Sequence, residues 1–161
     1  MAKEKTKEEF VAVIESKIGD AKKALDEGEF LDALVALRAV ELYAGKAGVD
    51  VPKDVEKLRI KACEQGIDEK VSDAEDAIED EEIPDAISAL VIAEKYAEEA
   101  GVKVPEKIKK LKHKAFSLGS EVYIKSAKAA IKDGEYADAL GPLNLAGKYA
   151  KEAGIEVPAE I

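Results

Sequence analysis

One hexapeptide pattern, Ala-Gly-aliphatic-x-Val-Pro, occurs three times at a single spacing, and it limits the fold more than any other feature. It reads Ala47-Gly48-Val49-Asp50-Val51-Pro52, Ala100-Gly101-Val102-Lys103-Val104-Pro105 and Ala153-Gly154-Ile155-Glu156-Val157-Pro158. The steps 101 − 48 and 154 − 101 are both 53 residues, so no insertion separates the copies. Chemically the pattern stops one helix and starts another. Glycine supplies the left-handed residue beyond a helix C-terminus, and proline suits a first helical turn, where the missing N–H costs nothing. A second mark lies on the same register at Gly28-Glu29-Phe30, Glu81-Glu82-Ile83 and Gly134-Glu135-Tyr136. It predicts a tight turn between two helices, with an apolar residue tucked under the hairpin.

Between these marks apolar residues recur at helical spacing. Ile18, Ala21, Ala24 and Leu25 correspond to Val71, Ala74, Ala77, Ile78 and to Ile124, Ala127, Ala130, Ile131. After the turn, Ala33, Leu37 and Tyr43 correspond to Ala86, Leu90, Tyr96 and to Ala139, Leu143, Tyr149. The expectation is an all-α chain of three tandem helical hairpins, long and short helices alternating, over about 5–27, 31–46, 53–79, 84–99, 106–133 and 137–152. The hairpins stack as a short array or elongated bundle in one repeat domain, with units at about 1–52, 53–105 and 106–158.

The long helices read in two halves. On a helical wheel Val55, Leu58 and Ala62 share one face, whereas Ile67, Val71, Ala74 and Ile78 lie roughly 100–160° around it. Ile108, Leu111 and Ala115 against Ile124, Ala127 and Ile131 repeat the shift, which falls near Gly66 and Gly119. The first half is expected to pack on the preceding short helix and the second half on the following one. A single glycine costs a helix only about 1 kcal/mol, so continuous helices of ~40 Å are expected. In the first copy the counterparts of Val55, Leu58 and Ala62 are Ala2, Lys5 and Glu9, a polar face suited to an N-terminal cap. At the other end Val157-Pro158-Ala159-Glu160-Ile161 restarts a long helix. Gly141-Pro142 inside the last short helix should kink it or postpone its start.

The turn and second helix of each unit resemble a tetratricopeptide repeat. The third copy carries the resemblance best, in Gly134-Glu135-Tyr136-Ala137-Asp138-Ala139-Leu140 followed by Leu143 and Ala146, with small residues at Ala127 and Ala130 on the preceding helix. The period is 53 residues where that family has about 34. The long helix is correspondingly longer, and the bulky first-helix aromatic appears only as Tyr123. The same segment also resembles the helical hairpin of the MIT domain. The resemblance implies a TPR-like stacked fold and a protein- or peptide-binding surface; it transfers no ligand residues.

Composition bounds the function. The 161 residues are 47% hydrophobic and 37% charged, which is neither disordered nor membrane-like. The formal net charge of −10 disfavours nonspecific nucleic-acid binding. Lys and Glu abound while Asn and Gln occur once each, at Asn144 and Gln65, a bias shared with thermophilic proteins. No apolar run approaches a membrane span, and Met1-Ala2-Lys3-Glu4-Lys5 is no signal peptide, so the expected location is cytoplasmic. A lone cysteine, Cys63, fits that compartment and excludes an internal disulfide.

Candidate chemistry is sparse. His113, the single histidine, sits among lysines that would repel a cation, and reads as a solvated helix residue. Cys63 aligns with Phe10 and Phe116 and reads as a small packing hydrophobe. Neither a phosphate loop nor a paired-cysteine or HExxH motif occurs, so no cofactor, no metal and no enzymatic activity are expected. Asp73, Glu75, Asp76, Glu79, Asp80, Glu81, Glu82 and Asp85 crowd the second turn without the order of a calcium loop. Lys103, Lys107, Lys109, Lys110, Lys112 and Lys114 form a cationic run in which Lys107, Lys110 and Lys114 share a face. Tyr43, Tyr96 and Tyr149 recur once per unit, as packing or as a ladder along a groove. The expected function is a non-enzymatic scaffold or adaptor with a protein or peptide partner, for which these tyrosines and the Lys107, Lys110 and Lys114 stripe are the candidate contacts. Self-association is the alternative, or weak binding of RNA or an anionic surface through Lys103–Lys114.

Overall fold

The structure, a computed structural model, describes residues 6–156. Among them lie six α-helices and no strand: α1 (Lys7–Glu27), α2 (Phe30–Ala47), α3 (Asp54–Glu79), α4 (Ile83–Ala100), α5 (Glu106–Lys132) and α6 (Tyr136–Ala153). Long and short helices pair as α1–α2, α3–α4 and α5–α6. Each boundary falls within two residues of its expected position, because the punctuation is local chemistry. Gly48, Gly101 and Gly154 take positive φ of 62°, 66° and 68° where the short helices end.

The turn inside each hairpin uses the same device. The amides of Glu29, Glu82 and Glu135 donate to the carbonyls of Ala24, Ala77 and Ala130 at 2.8, 2.8 and 2.9 Å. This closure demands a left-handed residue just before the donor. Gly28 and Gly134 supply it at φ 79°, but the second copy places Glu81 there at φ 59°, the one non-glycine residue described with positive φ. The same closure sets where α6 begins. Pro142 lies inside α6, whose start at Tyr136 keeps register with Phe30 and Ile83, so the proline does not postpone it. It removes only the N–H that would have met the carbonyl of Asp138.

At the front, Thr6 caps α1. Its Oγ1 accepts from the Glu9 amide at 3.3 Å while Glu9 Oε2 accepts from the Thr6 amide at 2.7 Å, a reciprocal pair that satisfies two orphan donors. Glu9 is exposed, as its polar register suggested; Ala2 and Lys5, and the Val157–Ile161 restart, lie outside the described residues.

By its contacts the chain divides into two compact units, Met1–Asp68 with Lys95–Lys103, and Glu69–Glu94 with Val104–Ile161. In the first unit Val55 joins Ile14, Ala21, Ala36, Leu37, Val40 and Ala44 in one buried cluster. Ala62 and Cys63 join Ala24, Leu25, Phe30, Ala33 and Leu34 in another. The front half of α3 thus packs on the preceding short helix, as the wheel required. In the second unit Val71, Ala74, Ala77 and Ile78 of α3 and Ile83, Ala86, Ala89 and Leu90 of α4 are buried, along with Ile108, Leu111 and Ala115 of α5.

Gly66 and Gly119 leave α3 and α5 unbroken and serve close approach instead. A Cβ on Gly66 would stand 2.8 Å from Phe30 Cε2 and 3.0 Å from Tyr96 Cδ2. On Gly119 it would stand 2.5 Å from Tyr149 Cδ2 and 2.9 Å from Ile83 Cγ2. Each glycine therefore lets its long helix sit between the first residue of one short helix and the tyrosine of the next.

Two stability predictions follow from these backbone positions. Glu81→Gly should stabilise the protein by about 0.5–1 kcal/mol by relieving the left-handed residue, read as a rise in the urea midpoint; an unchanged or lower midpoint contradicts the turn described. Gly119→Ala should destabilise by about 1–2 kcal/mol, because overpacking against buried Tyr149 and Ile83 exceeds the roughly 1 kcal/mol gained in helix propensity. A stabilised Gly119→Ala protein would show that the ring does not lie on the helix.

Candidate interaction surfaces

The tyrosines lie where the glycines admit them. Phe30 and Tyr96 meet edge-on with centroids 5.6 Å apart at 85°, and Phe116 and Tyr149 meet at 5.8 Å and 54°. Phe10 and Tyr43 stand 6.1 Å apart. Tyr149 also touches Tyr123 at 5.5 Å, and its burial, with Tyr123 beside it, pushes the phenol pKa up. Tyr149 is buried, whereas Tyr43 and Tyr96 are half-buried.

These layers exchange volume along the register. Around Gly66 the residues are Phe30, Cys63 and Tyr96; around Gly119 the counterparts are Ile83, Phe116 and Tyr149. Each tyrosine keeps one phenyl partner, supplied by the short helix in the first case and by the long helix in the second. Cys63 is fully buried, and desolvation pushes its thiol pKa up, the reverse of what a nucleophile needs. His113 is exposed, yet its Nδ1 donates to the carbonyl of Ala153 at 3.0 Å, tying α5 to the last residue of α6.

The lysine run is partly neutralised in place. Lys107 reaches Glu75 at 2.9 Å, Lys112 reaches Glu94 at 2.9 Å and Lys109 lies 3.6 Å from Glu106. Lys110 and Lys114 are exposed, and no ion pair joins them to another described residue. Lys107 is thereby set apart from its two stripe neighbours.

Hairpins one and two each carry a groove with identical register. Lys17, Asp20, Lys23, Glu27, Glu29, Asp32 and Val35 line the first, of about 380 Å³. Lys70, Asp73, Asp76, Asp80, Glu82, Asp85 and Ser88 line the second, of about 400 Å³. Lys17 and Lys70 bond Asp20 and Asp73 at 2.8 and 2.6 Å, and these carboxylates raise both lysine pKa values. Replacement of Lys23 by Asp76 turns a mixed groove into one with five carboxylates against one ammonium. Among the described residues no group of three or more His, Cys, Asp or Glu is placed to hold a metal ion.

One surface went unnoticed in the sequence. On α2, Leu31, Val35 and Leu42 are 56%, 65% and 56% exposed. With Arg38 they fall on one line of the helix, since steps of four and seven residues keep one face. Arg38 is held within that line by Glu99 at 2.9 Å. The signal was available: the same register positions hold Pro84, Ser88 and Lys95 in the second copy and Ala137, Gly141 and Lys148 in the third. Three positions that are apolar in one copy alone are not explained by the shared core.

Fold and surfaces together define an all-α protein of paired long and short helices. No protein-family model matches the chain, and neither a curated protein nor a solved structure matches it. No helix among the described residues is long and apolar enough to cross a membrane.

The volume exchange is open to a double-mutant cycle. Phe30→Ile alone should cost about 1–2 kcal/mol through the cavity it leaves, and Cys63→Phe alone at least as much through overpacking. Together they rebuild the Ile83–Phe116 arrangement, so a favourable coupling of about 2 kcal/mol is expected from chemical denaturation. Additive losses would show that the two layers are not interchangeable.

Proposed function

We propose that the chain is a non-enzymatic, TPR-like helical-repeat scaffold or adaptor that holds a protein or peptide partner along the outward face of α2. The carrying observation is the line Leu31, Val35 and Leu42, each more than half exposed. Scattered exposed hydrophobes are ordinary on a soluble surface, but three on one helical line make a continuous apolar strip. Such a strip accepts the apolar face of a helix or an extended peptide. The flanking groove, with Val35 among its lining residues, adds charges of both signs at the rim.

The two side chains best suited to nucleophilic or acid–base chemistry have other employment. Cys63 is fully buried with its thiol disfavoured as thiolate, and His113 is tied to the end of α6. Both uses are structural, which supports a binding role over a catalytic one.

The sister copies supply the test. Leu31→Ala, Val35→Ser and Leu42→Lys import the residues of Ala137, Ser88 and Lys95 into the first hairpin. Because the replaced side chains are exposed, the triple variant should melt within a few degrees of the parent. Chemical crosslinking in source-cell lysate followed by mass spectrometry should recover a partner with the parent and lose it with the variant. Recovery of the same partner by both proteins, or of none by the parent, would remove α2 as the binding face.

A further inference from the structure

The third hairpin leaves open a position that the first two cover. Leu25, Phe30 and Leu34 are 3%, 4% and 4% exposed, under the front half of α3. Ile78 and Ile83, their counterparts in the second copy, are 3% and 1% exposed, and α5 lays Gly119 against Ile83. In the third copy the same register gives Ile131, Tyr136 and Leu140, which are 43%, 69% and 62% exposed. The apolar residues persist where the covering helix is not among the described residues.

The two covered hairpins show what a cover must look like. The arriving segments are Lys61-Ala62-Cys63-Glu64-Gln65-Gly66 and Lys114-Ala115-Phe116-Ser117-Leu118-Gly119. Ala62 and Ala115 are fully buried, and the glycines lie against the hydrophobe at the start of the short helix. A cover therefore needs alanine and glycine four residues apart, with a hydrophobe directly after the alanine.

Charge distinguishes the open site from the covered ones. Lys61 stands 3.9 Å from Asp26, and Arg59 and Lys112 bond Glu41 and Glu94 at 3.3 and 2.9 Å. In the third copy the position of Asp26 and Glu79 is Lys132, and that of Glu41 and Glu94 is Gly147. A helix like α3 or α5 would bring a lysine against Lys132 and lose its second ion pair. The α1 helix of a second copy would bring Glu8, of the right sign, but also Glu9 into the buried alanine slot and Val13 into the glycine slot. Neither fits.

We infer that Ile131, Tyr136 and Leu140 form a docking site for one amphipathic helix of a partner protein, bearing the pattern acidic-Ala-hydrophobe-x-x-Gly, with its acidic residue against Lys132. The inference rests on the scaffold reading but uses a different surface from α2.

The probe is a fluorescent peptide copying residues 106–122, in parent form and with Lys114→Glu, titrated against the full chain by polarisation. Simple attraction to a protein of net charge −10 favours the more basic parent peptide. The docking site favours the Lys114→Glu peptide, by about threefold to tenfold at moderate salt. Tyr136→Asp with Leu140→Asp in the protein should abolish the binding, and Lys132→Glu should reverse the preference; both alter exposed side chains, and thermal melts check that the fold persists. A parent peptide that binds as well as or better than the variant overturns the inference, as does binding that survives Tyr136→Asp with Leu140→Asp. Concentration-dependent oligomers of the chain that Leu140→Asp dissolves would assign the site to a second copy and overturn it too. Loss of these effects while the α2 variant still sheds its partner removes this site and leaves the scaffold reading standing; the converse removes α2 alone.

Discussion

The contact on which the rest depends is a helix backbone pressed against side chains at a glycine. At Gly66 the faces of Phe30 and Tyr96 approach α3 more closely than any Cβ allows, and at Gly119 Ile83 and Tyr149 do the same to α5. A helix pays about 1 kcal/mol for an internal glycine in propensity. It recovers this through two buried rings or an aliphatic group placed at van der Waals distance from its axis, where dispersion contacts are many. The stripe of buried residues changes face at the same point, so one glycine both admits the neighbours and marks the handover between them. The 53-residue period is the length of a helix that serves two short helices, plus one of them.

Packing at that contact tolerates exchange of partners but not of total volume. Phe30 with Cys63 and Ile83 with Phe116 are two solutions to one space, each leaving a single phenyl ring beside the tyrosine. The third unit shows a further variation. Ser120 takes the place of Ile14 and Ile67, is 1% exposed, and its Oγ has no hydrogen-bond partner. Lys17 and Lys70, which hold carboxylates, give way there to Tyr123, whose ring packs on Tyr149. Aromatic contact thus replaces aliphatic filling and an ion pair in one hairpin. A hydroxyl left unpaired in that core costs about 1–3 kcal/mol, so the extra ring contact offsets a real loss.

Most of the architecture was legible because its signals are local and repeated. The Gly-x-x-Val-Pro stops, the hairpin turns and the two apolar faces of α3 and α5 depend on residues within a few positions of one another, and three copies average away accidents. Glu81 was legible as a turn residue but not as a strained one, since only the backbone angle shows that it occupies the seat of Gly28 and Gly134. The glycines were misjudged in emphasis. Sequence treats Gly66 as a weak point in a helix, whereas its reason is the ring of Phe30, thirty-six residues earlier in the chain. The α2 strip was hidden for the opposite cause: Leu31, Val35 and Leu42 look like core residues in isolation, and only comparison at equal register with Ser88, Lys95 and Gly141 separates them from the core.

That comparison supplies a general rule for a protein built of copies. Residues equal in all three copies carry the fold: the alanines at 21, 74 and 127 are buried in every one. Residues that differ in one copy are free of that duty, and their chemistry reports on what that copy does. Lys23 against Asp76 sets the sign of a groove, Leu42 against Lys95 and Lys148 sets an apolar strip, and Glu79 against Lys132 sets the charge at an open end. Three faces on one scaffold are thereby made unlike one another at fixed backbone geometry. A repeat array binds selectively only when its units diverge in this way, since identical faces would compete for the same ligand.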